Sequence, residues 1–217
     1  MENRISPNNI DHINVKIFAH EPAPIDLADA IPVFHRWIQD SVLDELLIDV
    51  TDYSHVPAGP GVLLIGHDSN YSLDLTFDRL GLLYNRKTPS EGTVRDKLLK
   101  AFGAALMACS QLEDEEPFRG KLKFNAGSAE LIFNDRLLAP NTPETWTALR
   151  PEIEKFFDGL LGSGTYTLAH VGQPRERFRV DIQAKSSVEV RSLLLESSRN
   201  LESNGIVAGL LLGNNNA

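Results

Sequence analysis

Only one cysteine, Cys109, occurs among the 217 residues, so the chain cannot form an internal disulfide and is not a small disulfide-stabilised scaffold. Long apolar runs are also missing. The segment 206–212 comes nearest but is only seven residues long, whereas a membrane-spanning helix requires roughly 18 apolar residues. Residues 1–9 are polar and are not followed by an apolar stretch, which predicts no secretory leader. We therefore expect a cytoplasmic protein without an integral membrane span.

Positive charge is scarce as well, because 21 Lys+Arg residues against 30 Asp+Glu residues give a formal net charge of −9. Long-range repulsion opposes nonspecific binding to nucleic-acid phosphates and to anionic lipids, so we expect no nucleic-acid partner. The hydrophobic fraction of 42% and the charged fraction of 24% are typical of a globular protein. The length predicts one domain, with at most a small appendage.

Strand patterns alternate with helix patterns along the chain. Short connections between the four strands from 46 to 84 favour antiparallel neighbours. In the last strand, Phe178, Val180 and Ile182 are predicted to face inward, with Arg177, Arg179, Asp181 and Gln183 facing outward. A hairpin is predicted across 126–128. The predicted strands cover 11–19, 46–50, 62–65, 71–75, 80–84, 121–124, 130–134, 166–171 and 177–183.

Helical spacing occurs in four segments: 31–41, 93–112, 142–160 and 187–205. In the second segment, Thr93 and Asp96 have the spacing of a capping box, and the apolar stripe turns Cys109 toward the core. The acidic run 113–116 lies at the unfavourable end of the helix dipole and predicts a frayed last turn. Pro151 removes a backbone donor from the third helix, which predicts a kink or two abutting helices.

Together these patterns predict an α+β fold. We expect an antiparallel or mixed sheet of about seven to nine strands, with three packed helices and an appended C-terminal helix. Residues 1–185 form the predicted single domain, and residues 186–217 form the C-terminal helix and a flexible apolar tail.

The segment 49–74 contains the first candidate site. Its residues Asp52, His55, His67 and Asp68 combine the imidazole and carboxylate groups that bind zinc, manganese or iron. Their spacing matches no strong metal motif, and no other motif implies a cofactor. The alternative is that the acidic residues form Asx turns and that the histidines are solvated. A small-ligand-binding protein or a metal-dependent hydrolase remains one hypothesis.

A second polar cluster precedes the third helix, where Arg136 lies between Asp135 and Asn141. A helix N-terminus can hold an anion, with Arg136 assisting. In the alternative interpretation, the other polar side chains satisfy the backbone of a long connection and Arg136 pairs with a carboxylate.

The end of the chain suggests a different class of function. Apolar residues there follow a Ser/Asn/Gly segment and cannot bury themselves locally, so they favour contact with another chain. This predicts a noncatalytic binding or assembly protein that forms a homo-oligomer or binds a protein partner. The candidate partner-binding residues are Ile206, Val207, Leu210, Leu211 and Leu212.

Three segments, 31–38, 63–67 and 137–143, resemble uncharacterised bacterial proteins of unknown activity. The resemblance covers about residues 13–183 and omits the terminal helix and tail. It implies a bacterial cytosolic setting and transfers no functional residue.

Deletion of residues 202–217 tests the assembly hypothesis. Because the apolar contact would be lost, the mass measured by light scattering is expected to fall to that of a monomer. An unchanged oligomeric state, together with unchanged partner capture in a pull-down, would contradict the hypothesis.

Overall fold

A computed structural model describes residues 7–57 and 59–203. The candidate partner-binding residues Ile206, Val207 and Leu210 to Leu212 lie outside this part of the chain. Within it, no helix has both the length and the apolar content needed to cross a membrane.

Within the described residues, eight strands form one sheet in which every neighbouring pair is antiparallel, in the order β2-β3-β4-β5-β1-β6-β8-β7. The α+β class, the strand number and the meander of four consecutive strands are therefore confirmed. The first strand along the chain lies near the centre of the sheet. The strands are β1 Ile13–Ala19, β2 Leu47–Tyr53, β3 Gly61–Gly66, β4 Ser69–Asp74, β5 Gly81–Arg86, β6 Phe124–Phe133, β7 Tyr166–Val171 and β8 Phe178–Ala184.

Helices occur at all four predicted places. The second begins at the predicted capping box, where Thr93 and Asp96 exchange hydrogen bonds, and it buries Cys109 as predicted. The fourth helix packs on the second and also contacts the third. The helices are α1 Ala30–Asp40, α2 Val94–Asp114, α3 Pro143–Leu161 and α4 Val190–Ser203.

The hydrophobic core lies between the helices and one face of the sheet. In the central strand β1, Ile13, Val15 and Ile17 alternate onto this face and are almost fully buried. Phe102 of α2 packs edge-on against Phe156 and Phe157 of α3, with ring centroids 5.9 and 5.6 Å apart. Because this core covers only one face, the opposite face of the sheet is left to other side chains.

The predicted hairpin across 126–128 is wrong, because residues 124–133 form one strand. This strand, β6, pairs with β1. Ile17 pairs with Ala129 and Ala19 pairs with Phe124, so β6 places extra residues against β1 in a bulge. Gly127 lies in this bulge, and a Cβ there would approach that of Ala184 to 2.7 Å. Small residues that permit a bulge can therefore look like a turn in the sequence.

One prediction about a helix end is wrong, and one of the two alternatives predicted at Pro151 is excluded. The end of α2 does not fray, because the buried Glu113 accepts hydrogen bonds from Phe124 N and Lys123 Nζ, both at 2.8 Å. Helix α3 is one continuous helix rather than two abutting ones. Pro151 lies on its exposed side, where the absent backbone donor leaves an acceptor that water can reach.

Substitution Phe102→Ala is expected to lower the free energy of unfolding by about 3–5 kcal/mol, because it opens a cavity among the three rings. The matched control is Leu137→Ala, since Leu137 is 90% exposed and its truncation is expected to change stability by less than about 0.5 kcal/mol. Urea denaturation measures both. Equal effects of the two substitutions would show that the ring cluster is not part of the core.

Candidate functional site

The face of the sheet opposite the helices has a row of charged side chains at its centre. Lys16 of β1 lies opposite Glu130 of β6, which in turn lies opposite Asp181 of β8. Neighbouring strands are about 4.8 Å apart, so the three side chains are adjacent on the face. Lys16 is only 4% exposed and Glu130 7%. The central strands therefore bury charge on this face where the other face buries apolar side chains.

These residues form part of the floor of a cleft of about 450 Å³. Residues 74–79, which connect β4 to β5, supply one wall, and residues 171–177, which connect β7 to β8, supply another. The volume falls within the roughly 300–1,000 Å³ of sites that hold small molecules. Four chain segments that are distant in sequence thus meet around one cavity.

Asp74 fixes the first wall to the floor. Its carboxylate accepts hydrogen bonds from Lys16 Nζ at 2.5 Å, from Thr76 Oγ1 at 2.8 Å and from Thr76 N at 3.1 Å. Beyond Thr76 the chain turns sharply, because Phe77 and Asp78 both adopt the left-handed conformation with φ of 62° and 55°, which is uncommon outside glycine. The turn places the ring of Phe77 under the guanidinium of Arg179, 4.9 Å away.

The second wall is held by a buried asparagine and a glycine. Asn141 Nδ2 donates to the carbonyl oxygens of Val171 and Gln173, at 3.3 and 2.9 Å. Gly172 has φ of +96°, and a Cβ there would lie 2.7 Å from Glu176 Oε2. Only glycine fits this position without strain. The wall therefore has a defined shape and presents Arg175 and Arg177 to the cleft.

Positive charge exceeds negative charge in the cleft, although the whole protein is acidic. Six cations line it against the four carboxylates of Asp74, Glu130, Glu176 and Asp181. Lys16 pairs with Asp74, while Arg179 pairs with Glu176 at 3.1 Å and Glu130 at 3.6 Å. Four further arginines have no carboxylate oxygen within 4.0 Å among the described residues: Arg79, Arg136, Arg175 and Arg177.

Burial has shifted several pKa values in this cleft. It lowers the pKa of Lys16, although the adjacent Asp74 opposes the shift. Burial also lowers the pKa of Arg177; the Glu130 carboxylate opposes this shift, while the positive charges of Arg179 and Arg136 add to it. For Glu130, burial raises the pKa, and the Asp181 carboxylate raises it further while Arg179 opposes it. Each shift disfavours the charged form, so the cleft holds like charges that are close together and partly shielded from water.

The sequence-predicted candidates divide between the cleft and other places. Arg136 lines the cleft. His55 follows β2 in the turn that leads to β3, and His67 lies in the turn after β3, where it contacts Asp68 at 3.2 Å. The two turns lie at opposite ends of the six-residue strand β3, which is about 20 Å long. His55 and His67 therefore do not share one site, and Asp52 caps Ser54 N instead.

No three His, Cys, Asp or Glu side chains are grouped as a metal site within residues 7–57 and 59–203. The other members of the polar cluster around Arg136 have structural partners. Asp135 accepts hydrogen bonds from Asp11 N, His12 N and His12 Nδ1, and this holds the start of β1. Asn141 Oδ1 also accepts a hydrogen bond from His170 Nε2 at 2.5 Å.

Sequence patterns did not single out Lys16, Arg79, Arg175 or Glu130 as site residues, and Asp74 was included only as the last residue of the candidate segment 49–74. One usable signal was the alternation of charge in β8, where Arg177, Arg179 and Asp181 were placed outward. Comparison of the chain with protein-family models, with curated proteins and with solved structures finds no match. The function therefore has to be inferred from the cleft itself.

Substitution Glu130→Gln tests the electrostatics of the floor. Because the pKa of Glu130 is raised in the folded state above its ordinary 4.5, its contribution to stability is present below pH 4.5 and is lost as the pH rises through the folded value. Glutamine stays neutral, so the variant is expected to gain stability relative to the wild type between pH 4 and pH 8. The gain is about 1.4 kcal/mol for each tenfold increase that folding causes in the proton affinity of the Glu130 carboxylate. Urea denaturation across this range measures the difference, and a pH-independent difference would contradict the assignment.

Proposed function

We propose that this protein binds a small anionic molecule in the cleft on the open face of its sheet. The observation that carries the proposal is the group of four arginines without carboxylate partners around one concave cavity, in a protein of net charge −9. Guanidinium groups bind carboxylate and phosphate oxygens in pairs of parallel hydrogen bonds. An anion would supply the partners that the described residues do not.

The partial burial of Arg177 supports binding, whereas Arg79, Arg136 and Arg175 are exposed parts of the cleft lining. Water and mobile ions screen the charge of an arginine on an exposed surface, so such an arginine needs no fixed partner. Arg177 is half-buried, and its repulsion by Arg136 and Arg179 is offset in part by the Glu130 carboxylate. A bound anion stabilises such a group more than it would stabilise isolated surface charges.

The preformed walls support the same proposal. The bonds of Asp74 to Lys16 and Thr76 hold one wall, and the bonds of Asn141 hold the other. Arginine side chains that a rigid frame holds in place lose less conformational entropy on binding. The proposal retains the small-ligand hypothesis from the sequence, with Arg136 as the shared residue, and assigns the site to the sheet face instead of the loops of 49–74.

Thermal unfolding in sodium phosphate and in sodium chloride of equal ionic strength tests the proposal. At a phosphate concentration ten times the dissociation constant, binding stabilises the folded state by about 1.4 kcal/mol, which corresponds to a rise in Tm of about 3–6 °C for a chain of this size.

The double variant Arg136→Gln/Arg177→Gln is expected to lose this rise. Arg150→Gln, on the exposed surface of α3 where Arg150 pairs with Glu154, is the matched control and is expected to keep it. The proposal fails if phosphate gives no rise, or if the double variant retains the full rise.

A further inference from the structure

Resting on the proposed anion site, we infer that the ligand is a phosphate monoester of a polyhydroxylated molecule, such as a sugar phosphate. Its phosphoryl group binds Arg136, Arg175 and Arg177, and its hydroxyl groups donate hydrogen bonds to Glu130 and Asp181. The inference depends on three features of the cleft: the number of unpaired cations at one end, the unsatisfied acceptors on the floor, and the distance between them.

The unpaired cations gather where β6 ends and β8 begins. Phe133 and Phe178 are paired across these two strands, Arg136 follows three residues after Phe133, and Arg177 directly precedes Phe178. Arg136, Arg175 and Arg177 line this end of the cleft with three positive charges. A single carboxylate has one negative charge and two oxygens, so it cannot pair with all three guanidiniums. A phosphate monoester has a charge of about −1.5 to −2 and three acceptor oxygens, and it matches three guanidiniums better.

The floor of the cleft needs hydrogen-bond donors instead. Glu130 and Asp181 face each other from adjacent strands, and Oδ1 of Asp181 is buried without a hydrogen bond from any described residue. Glu130 has Arg179 Nη1 at 3.6 Å, so the unmet need is that of Asp181 Oδ1, and a buried carboxylate oxygen without a donor is unfavourable. A hydroxyl group of the ligand would supply the donor that Asp181 Oδ1 lacks and could also donate to the adjacent Glu130, whereas a second anionic group would be repelled by the Asp181 carboxylate.

The distance between the two regions sets the size of the ligand. Glu130 and Asp181 lie three residues along their strands from Phe133 and Phe178, which is about 10 Å. An inorganic phosphate bound where β6 ends and β8 begins would occupy that end of the cleft and leave Asp181 Oδ1 without a donor. A phosphorylated chain or ring of several hydroxylated carbons can reach both regions, and the cleft of about 450 Å³ has room for it.

Isothermal titration calorimetry of the full chain with four probes tests the inference: ribose 5-phosphate, inorganic phosphate, ribose and succinate. Ribose 5-phosphate is expected to bind at least tenfold more tightly than inorganic phosphate, because it adds hydrogen bonds to the two carboxylates. Ribose and succinate are expected to bind at least tenfold more weakly than ribose 5-phosphate, since one lacks the dianion and the other places a charge on the acidic floor.

Substitution Asp181→Asn removes an acceptor-only group from the floor and is expected to abolish the tenfold preference for ribose 5-phosphate over inorganic phosphate. The matched control is Asp158→Asn, because Asp158 is exposed and contacts Tyr166 outside the cleft, and this variant is expected to keep the preference. Thermal unfolding verifies that each variant is folded. If Asp181→Asn is not folded, Glu130→Gln provides the same readout.

The outcomes separate this inference from the proposed function. Equal affinity for ribose 5-phosphate and inorganic phosphate would overturn the hydroxyl-binding floor and leave the anion site standing. Succinate binding as tightly as ribose 5-phosphate would overturn the choice of a phosphate monoester. Absence of binding by all four probes would overturn both the inference and the proposed anion site.

Discussion

The buried ion pair between Lys16 and Asp74 is the interaction on which the cleft depends. It lies on the central strands of the sheet, with Lys16 5% and Asp74 2% exposed at the side chain. Desolvation opposes both charges. Removal of one partner from such a pair typically lowers the free energy of unfolding by about 3–5 kcal/mol, because the remaining charge stays buried without a partner. The same carboxylate holds Thr76, so the bond that neutralises Lys16 also fixes a wall of the cavity.

A polar face on central strands explains why the helices cover only one side. Along β1, Ile13, Val15 and Ile17 face the core, and Asn14 and Lys16 alternate onto the other face. Asn14 is fully buried, and neither atom of its amide has a hydrogen-bond partner among the described residues. A helix packed over such a face would leave polar groups unsatisfied at a cost of about 1–3 kcal/mol each. No helix in the described part of the chain covers this face, and the connections 74–79 and 171–177 form the walls of the cleft over it.

Local patterns predicted most of the fold because each depends on neighbours in sequence. Examples of such local patterns are the capping box at Thr93, the apolar stripe that buries Cys109 and the alternation in β8. The hairpin at 126–128 failed because a bulge and a turn use the same small residues, and only pairing with β1 distinguishes them. The predicted fraying at Glu113 failed for a related reason, since its hydrogen-bond partner Phe124 N comes close only after the chain has turned back.

The cleft was harder to predict because its residues come from distant parts of the chain. Arg136 was a candidate, but that Arg177 and Lys16 line the same cleft becomes evident only when the strand order β1-β6-β8 is known. The loops of 49–74 were predicted as a candidate site because their histidines and carboxylates are close in sequence. In the sheet, the length of β3 separates His55 from His67. Sequence proximity is thus a poor guide to a site on an antiparallel sheet, where residues opposite each other can be far apart along the chain.

The net charge of −9 is compatible with an anion site because the acidic residues are used differently inside and outside the cleft. Outside it, Glu113 and Asp135 accept backbone N–H groups, and Glu115 accepts Trp37 Nε1 at 2.6 Å. These carboxylates hold segments together, and water and salt screen their long-range field over about 8–10 Å. Inside the cleft, guanidinium groups act on an anion at contact distance and in a lower dielectric. Overall charge therefore governs how fast an anion approaches, while the local arginines govern how tightly it is held.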